Sequence, residues 1–353
     1  MKSVARIELI PGMELAENVY TYHGELLFPE NTILDISMIN KLARYSIMCV
    51  SIKEKVDYAT THYEKIHLTK RYQDFEKVYR NNLNAYKYMT DEFLQTGVVM
   101  NQNYLIQIHD NIRSCVTTGE ELLMLLYYMQ PSEDDLTYAH CLNAALICNV
   151  FSNWLGMSDE ASKTLTLCGF YYDIGKLKLP NDLLWTPGRL SNEEYTKMQT
   201  HTLLGYELIR NKQIDLHIIN AALMHHERND GSGYPNHLID DEIDLYAKII
   251  AIVDTYEAMT SARTYRSSMN PFQVIQTFEE SGFGRYESAI LRPILEHIAK
   301  SQMGRRVVLS NQVIADVMLI NNHFLSHPLV KAVENDQLID LQYYKEISIL
   351  SFI

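Results

Sequence analysis

The chain has 353 residues, 47% apolar and 21% charged, with 31 basic against 44 acidic residues and a formal charge of −13. That composition is globular, fits two or three units at ~100–200 residues each, and excludes a disordered or fibrous chain. The acidic excess, with no concentrated basic run, argues against nucleic acid as a partner. Residues 1–54 read as a small β-rich unit. The stretch Ile7–Leu15 is strand-like and broken by Pro11-Gly12, Tyr20–Leu27 turns at His23-Gly24, Ile36–Leu42 forms a short helix and Met48–Ile52 a further strand. Residues 55–132 switch period. Phe75, Val78, Tyr79, Leu83, Tyr86, Met89 and Phe93 recur every three to four residues on one face of an amphipathic helix, suiting a helical connector or a homodimerising stalk.

From 133 to 300 the pattern is helical, with segments at 137–155, 162–174, 191–211, 216–226, 243–262 and 271–280. The tail, 301–353, carries two β-branched stretches around Ser310-Asn311, a hairpin pattern. The fold class expected is mainly α: a helical metal-type domain with a small β-rich N-terminal domain and a hairpin-containing tail. No apolar run reaches the ~18–20 residues of a membrane helix. The N-terminus lacks the apolar core of a signal peptide, which gives a cytoplasmic expectation. Cys49, Cys115, Cys141, Cys148 and Cys168 form no CxxC pair and read as buried free thiols.

The chemistry concentrates in the helical region. His140 lies near the buried side of its helix, Asp173 is embedded in Phe-Tyr-Tyr-Asp-Ile-Gly, and His201 opens a helical segment. His225 and His226 are adjacent, and Asp254 interrupts Ile249-Ile-Ala-Ile-Val. A carboxylate in so apolar a run needs a partner, either a metal or a cationic side chain. Any one of these histidines alone reads as a hydrogen-bonded core residue. Neighbouring helical residues diverge by about 100°, so His225 and His226 converge only on two metals or from a helix end. Four imidazoles and two carboxylates in one domain suit Zn, Fe, Mn or Ni.

Three segments carry a family resemblance. His225-His-Glu-Arg-Asn-Asp-Gly-Ser-Gly-Tyr-Pro resembles the HHE…DG.GYP signature of the HD-GYP domain. Phe170-Tyr-Tyr-Asp-Ile-Gly-Lys-Leu-Lys-Leu-Pro resembles its HDIGK…IP segment, and Ile249–Arg266 its third block. The resemblance covers about 133–300. It implies an all-α metal domain that hydrolyses cyclic di-GMP through a binuclear centre, Fe or Mn favoured. The implied ligands are His140, Asp173, His201, His225, His226 and Asp254, with Asp173 bridging. Lys176 would meet a phosphate, and Tyr234, Arg263 and Arg266 would contact the nucleotide, Arg by its planar fork.

Two departures qualify this expectation. Tyr172 occupies the position of the HD histidine, and Leu136 the position of a glutamate that holds a third metal in some members, which argues against a third ion here. Tyr172 leaves one group with His140, Asp173 and Asp254, while Asp173, His201, His225 and His226 stay complete. A phenol of pKa ≈ 10 is a poor ligand for Zn or Mn near neutrality. Three readings stand open: Tyr172 as an unusual ligand, a weak or partly empty centre that still hydrolyses, and a non-catalytic cyclic di-GMP receptor docking onto a diguanylate cyclase or other signalling protein.

Overall fold

The structure, a computed structural model, describes residues 2–6, 9, 11, 13–21, 24–45, 47, 49–53, 66–184, 190–261, 268–344 and 346–353. It divides into two compact units, Met1–Gln73 and Asp74–Ile353.

The first unit holds strands β1 (Lys2–Ala5), β2 (Val19–Tyr20), β3 (Leu26–Phe28) and β4 (Cys49–Ile52) and helix α1 (Ile36–Arg44). β1 pairs antiparallel with β4 and β2 with β3. The side chain of Asp35 accepts from Met38 N at 2.6 Å and so starts α1. Leu15, Leu34, Leu42 and Ile52 close the small core.

Helices α2 (Lys70–Thr96), α3 (Gln102–Arg113) and α4 (Gly119–Tyr128) follow. The periodic aromatic stripe of α2 is buried in the second unit through its tyrosines. Tyr79 Oη donates to Asn143 Oδ1 at 2.7 Å, and Tyr86 Oη to the Phe170 carbonyl at 2.5 Å. The segment expected as a connector is thus bonded to the helices that carry the candidate site.

Next come α5 (Leu136–Trp154) and α6 (Asp159–Tyr171), then a 3-10 turn at Ile174–Lys178. They are followed by α7 (Asn181–Leu184), α8 (Asn192–Gln199), α9 (His201–Ile209), α10 (Leu216–Met224), α11 (Leu245–Thr260), α12 (Pro271–Ser281) and α13 (Ser288–Lys300). α5 and α11 are apolar nearly all round and accordingly buried. α6 starts earlier than its apolar pattern suggests, because Ser158 caps it and Asp159 and Glu160 fill the first turn. The segment 191–211, read as one helix, is two. A Ser191/Glu194 capping box opens α8, and at its end the Met198 carbonyl accepts from His201 Nδ1 at 2.6 Å, so a side chain takes part of the backbone ladder.

The tail is more than a hairpin. β5 (Arg306–Leu309) and β6 (Ile314–Leu319) form the expected pair. β7 (Leu329–Ala332), β8 (Leu338–Asp340) and β9 (Ile349–Phe352) extend it to an antiparallel sheet of order β8-β7-β6-β5-β9. Cys141, Cys148 and Cys168 are buried free thiols, whereas Cys49 is exposed and Cys115 half-buried. Among the described residues no helix is long and apolar enough to cross a membrane.

Candidate metal centre

Five elements deliver the six predicted donors to one place. α5 brings His140, the turn after α6 brings Asp173, α9 opens with His201, and α11 brings Asp254. His225 is the C-terminal residue that ends α10, and His226 follows it. The helix end removes the 100° divergence that a continuous helix would impose, and the two imidazole rings lie 4.3 Å apart. The donors fall into two groups that could each hold a metal ion: His201, His225 and His226, and His140, Asp173 and Asp254.

Asp173 stands between the groups. Its Oδ1 lies 3.3 Å from His201 Nε2 and 3.8 Å from His225 Nε2, and its Oδ2 lies 3.4 Å from His140 Nε2. Gly175 makes this possible. A Cβ there would sit 2.0 Å from the His201 carbonyl oxygen and 2.5 Å from Gly205 N, so only glycine lets the Asp173 turn lie against α9. Lys176 is three residues on in a 3-10 turn, where such residues eclipse, and its Nζ lies 2.5 Å from Asp173 Oδ2.

The hydrogen-bond pattern fits a cation. His201 Nδ1 donates to Met198 O, and His225 Nδ1 donates to Ala221 O at 2.9 Å. Both Nε2 atoms therefore carry lone pairs, yet they face each other at 3.2 Å with no proton to share. Asp173 is fully buried; its Oδ2 is ion-paired with Lys176, but neither oxygen accepts a well-formed hydrogen bond and Oδ1 faces the His201 and His225 imidazoles. A buried carboxylate and opposed imidazole lone pairs are the surroundings a metal ion satisfies.

Electrostatics agree. Burial pushes His201 down to about 3 and lowers His225, and it holds His226 well below its ordinary value, so these three imidazoles are neutral donors. Burial opposes the charge on Asp173, but Lys176 and the surrounding imidazoles outweigh it and keep the carboxyl below its usual range. His140 differs: burial opposes its protonation, while Glu257 and Asp254 overcome that and lift it to about 9. Its Nε2 faces Asp254 Oδ1 at 3.0 Å, where a proton or a metal ion would serve equally.

Tyr172 is fully buried beside this group, with Oη 3.4 Å from Asp254 Oδ1. Burial and the Asp254 and Asp173 carboxylates raise its pKa well above that of a free phenol, so it stays protonated and donates. Tyr234 stacks on His226 with ring centroids 4.6 Å apart at 25°, and Tyr234, His226 and Lys176 are all half-buried. Arg263 and Arg266 lie outside the described residues.

Two supporting residues escaped the sequence reading. Glu257 accepts from His140 Nδ1 at 2.5 Å, Asn143 Nδ2 at 2.9 Å and Ser261 Oγ at 2.5 Å, which fixes the ring so that Nε2 faces the carboxylates. Its spacing of three from Asp254 on one helix face was the available signal. Glu227 is also buried and accepts from Asn236 N at 2.7 Å and Leu238 N at 3.1 Å, holding the loop that presents Tyr234. Gly233 lets that loop close: a Cβ there would lie 2.4 Å from Glu227 Cα.

Residues 132–290 match the HD domain family. A 3'3'-cGAMP-specific phosphodiesterase of Vibrio cholerae is 34% identical over 177 residues, 50% of this chain and 41% of that protein. A cyclic di-GMP phosphodiesterase of Pseudomonas aeruginosa is 27% identical over 236 residues, 67% and 56% of the respective chains. A cyclic di-GMP phosphodiesterase of Thermotoga maritima is 27% identical over 288 residues, 76% of this chain and 75% of that one. The chain spans about half the length of the first two of these relatives.

Proposed function

We propose that this chain is a metal-dependent phosphodiesterase that opens cyclic di-GMP. The observation that carries this reading is Asp173, buried, short of hydrogen bonds and turned with one oxygen to each ligand group. The names of the relatives support the cyclic dinucleotide class, one of them with cGAMP as its substrate.

In this reading His201, His225 and His226 with Asp173 would hold one ion and His140, Asp173 and Asp254 a second, Fe or Mn being compatible with the donors. Bound metal lowers the pKa of water and neutralises charge on the phosphodiester. The protein's own part is positioning. Glu257 holds His140 with Nε2 inward, and the Met198 and Ala221 carbonyls do the same for His201 and His225. Lys176, half-buried with its ammonium beside Asp173, would supply a charged donor to a phosphate oxygen of a bound nucleotide. Tyr234 supplies a ring for a base or sugar. Tyr172 contributes a hydrogen bond to Asp254 rather than a ligand atom, so the His140 group is the weaker of the two.

The test is turnover of cyclic di-GMP by metal-stripped protein reconstituted with Fe(II) or Mn(II), with Asp173→Asn as the control and cGAMP as a second substrate. Linear or mononucleotide product that depends on metal and on Asp173 is expected. Tyr172 favours one other reading, a receptor that binds cyclic di-GMP without cleaving it and docks onto a diguanylate cyclase or another signalling protein. Metal-loaded protein that binds the nucleotide and releases no product establishes that reading instead.

A further inference from the structure

A second cavity, of about 240 Å³, lies among α4, α11, α13 and the C-terminal strand. Its walls are aromatic: Tyr127, Tyr128, Tyr256 and Phe352. Among them sits the half-buried guanidinium of Arg305, 5.4 Å above the Phe352 ring. Arg305 Nη1 donates to Gln302 Oε1 at 3.1 Å, and Nη2 to the thioether of Met124 at 2.9 Å. Among the described residues no carboxylate pairs with it. Five N–H donors are thus met by one neutral oxygen and a weak sulfur acceptor. A guanidinium in low-dielectric surroundings without a counter-anion is unfavourable, and its fork matches a carboxylate with two parallel bonds.

The lining also sets the charge of a ligand. Glu120 and Glu121 also line it, and Glu121 Oε2 is held by Thr117 N at 2.7 Å and Thr117 Oγ1 at 2.9 Å. Among the described residues Arg305 is the one cation of a lining that also carries two carboxylates, so a phosphate monoester, at about −1.5 to −2, meets more repulsion there than a monocarboxylate at −1. The volume lies below the ~300–1,000 Å³ of sites for drug-sized ligands, which suits one ring or a fused pair and not a cyclic dinucleotide. We infer that this cavity is a binding site for a small aromatic monocarboxylate, its ring between the tyrosines and its carboxylate on Arg305. α11 carries Tyr256 and Thr260 to this cavity and Asp254 and Glu257 to the metal centre, so the two sites share a helix. The inference does not depend on the nucleotide reading.

Calorimetric titration of the full chain with indole-3-carboxylate, its amide, and phenyl phosphate, without nucleotide or added metal, is the test. The carboxylate is expected to bind and the amide to bind at least about tenfold more weakly, the loss of one charged hydrogen-bonding partner. Arg305→Gln should reduce the carboxylate to the level of the amide, and Arg305→Lys, which keeps the charge and loses the fork, should fall between. Equal affinity for carboxylate and amide, or none for either, overturns the proposal. So does tighter binding of phenyl phosphate, or wild-type affinity in a folded Arg305→Gln protein. The wild-type comparison decides the matter even if that variant does not fold.

Discussion

Replacing Glu257 by Gln tests whether the inner face of His140 is set from behind. The carboxylate is 3% exposed and takes three hydrogen bonds, with His140 Nδ1 on Oε2 and Asn143 and Ser261 on Oε1. Gln has nearly the same shape but only one acceptor oxygen and no charge. If its NH₂ faces His140, the ring must move its proton to Nε2, where it points at Asp254 and Asp173 and blocks a metal. If its oxygen faces His140, the NH₂ confronts the donors of Asn143 and Ser261. Loss of such an outer partner lowers metal affinity by ~10–100-fold, or about 1.4–2.8 kcal/mol of binding free energy. The weakening should be confined to the His140 group. Titration of stripped protein with Mn(II), in wild type and in a His201→Ala background, separates the two groups. An unchanged constant for the His140 group, or a loss borne by the His201 group instead, would refute the reasoning.

Three other outcomes are expected. Gly175→Ala forces a Cβ to within 2.0 Å of backbone at His201, so denaturant titration should show a loss of about 1–3 kcal/mol or more together with lower metal content; a neutral effect on both contradicts the close approach. Tyr172→His adds an imidazole beside His140, Asp173 and Asp254 and should raise metal stoichiometry and turnover together, read by elemental analysis and product release; no change in either would mean that position 172 does not reach the metal. Burial lowers His109 below its ordinary 6.5 despite Asp110, and its Nε2 has no hydrogen-bond partner. Its folded pKa lies below the unfolded one, so the stability it contributes is fully present above about pH 6.5 and is lost as pH falls toward the folded value. His109→Leu should flatten the acid-side slope of stability by up to about 1.4 kcal/mol per pH unit, and an unaltered slope in denaturant titrations across pH would count against it.

The donors were legible because each breaks a local rule. A carboxylate within Ile249–Val253 and Thr255, or an adjacent histidine pair after an apolar helix, calls for a partner that the neighbouring sequence does not supply. Glu257 broke no rule, since a glutamate in a helix is ordinary; its spacing from Asp254 marked a shared helix face, but what it bonds emerged only when α5 and α11 packed together and brought His140 against it. The same holds for Tyr79 and Tyr86. Their period announced a helix face but not which face of the molecule it covers, so a connector was as good a reading as a wall. Strands β7, β8 and β9 are short, at four, three and four residues, too brief for alternation to stand out, and only pairing reveals them. The break at Thr200 is set by a side chain bonding a carbonyl, which no periodicity reports.

The six donors are dispersed along the chain, with His140 and Asp254 separated by 114 positions. No short stretch of unfolded polypeptide presents the set, so a metal ion that settles there has bound the folded state. Such a ligand adds about 2.7 kcal/mol to stability at a hundredfold excess over its Kd. Proteases and quality control act on the population that opens, and a difference of that size changes it by about a hundredfold. The metal supply of the cell would then govern how long each copy of the protein survives, apart from any reaction the centre performs.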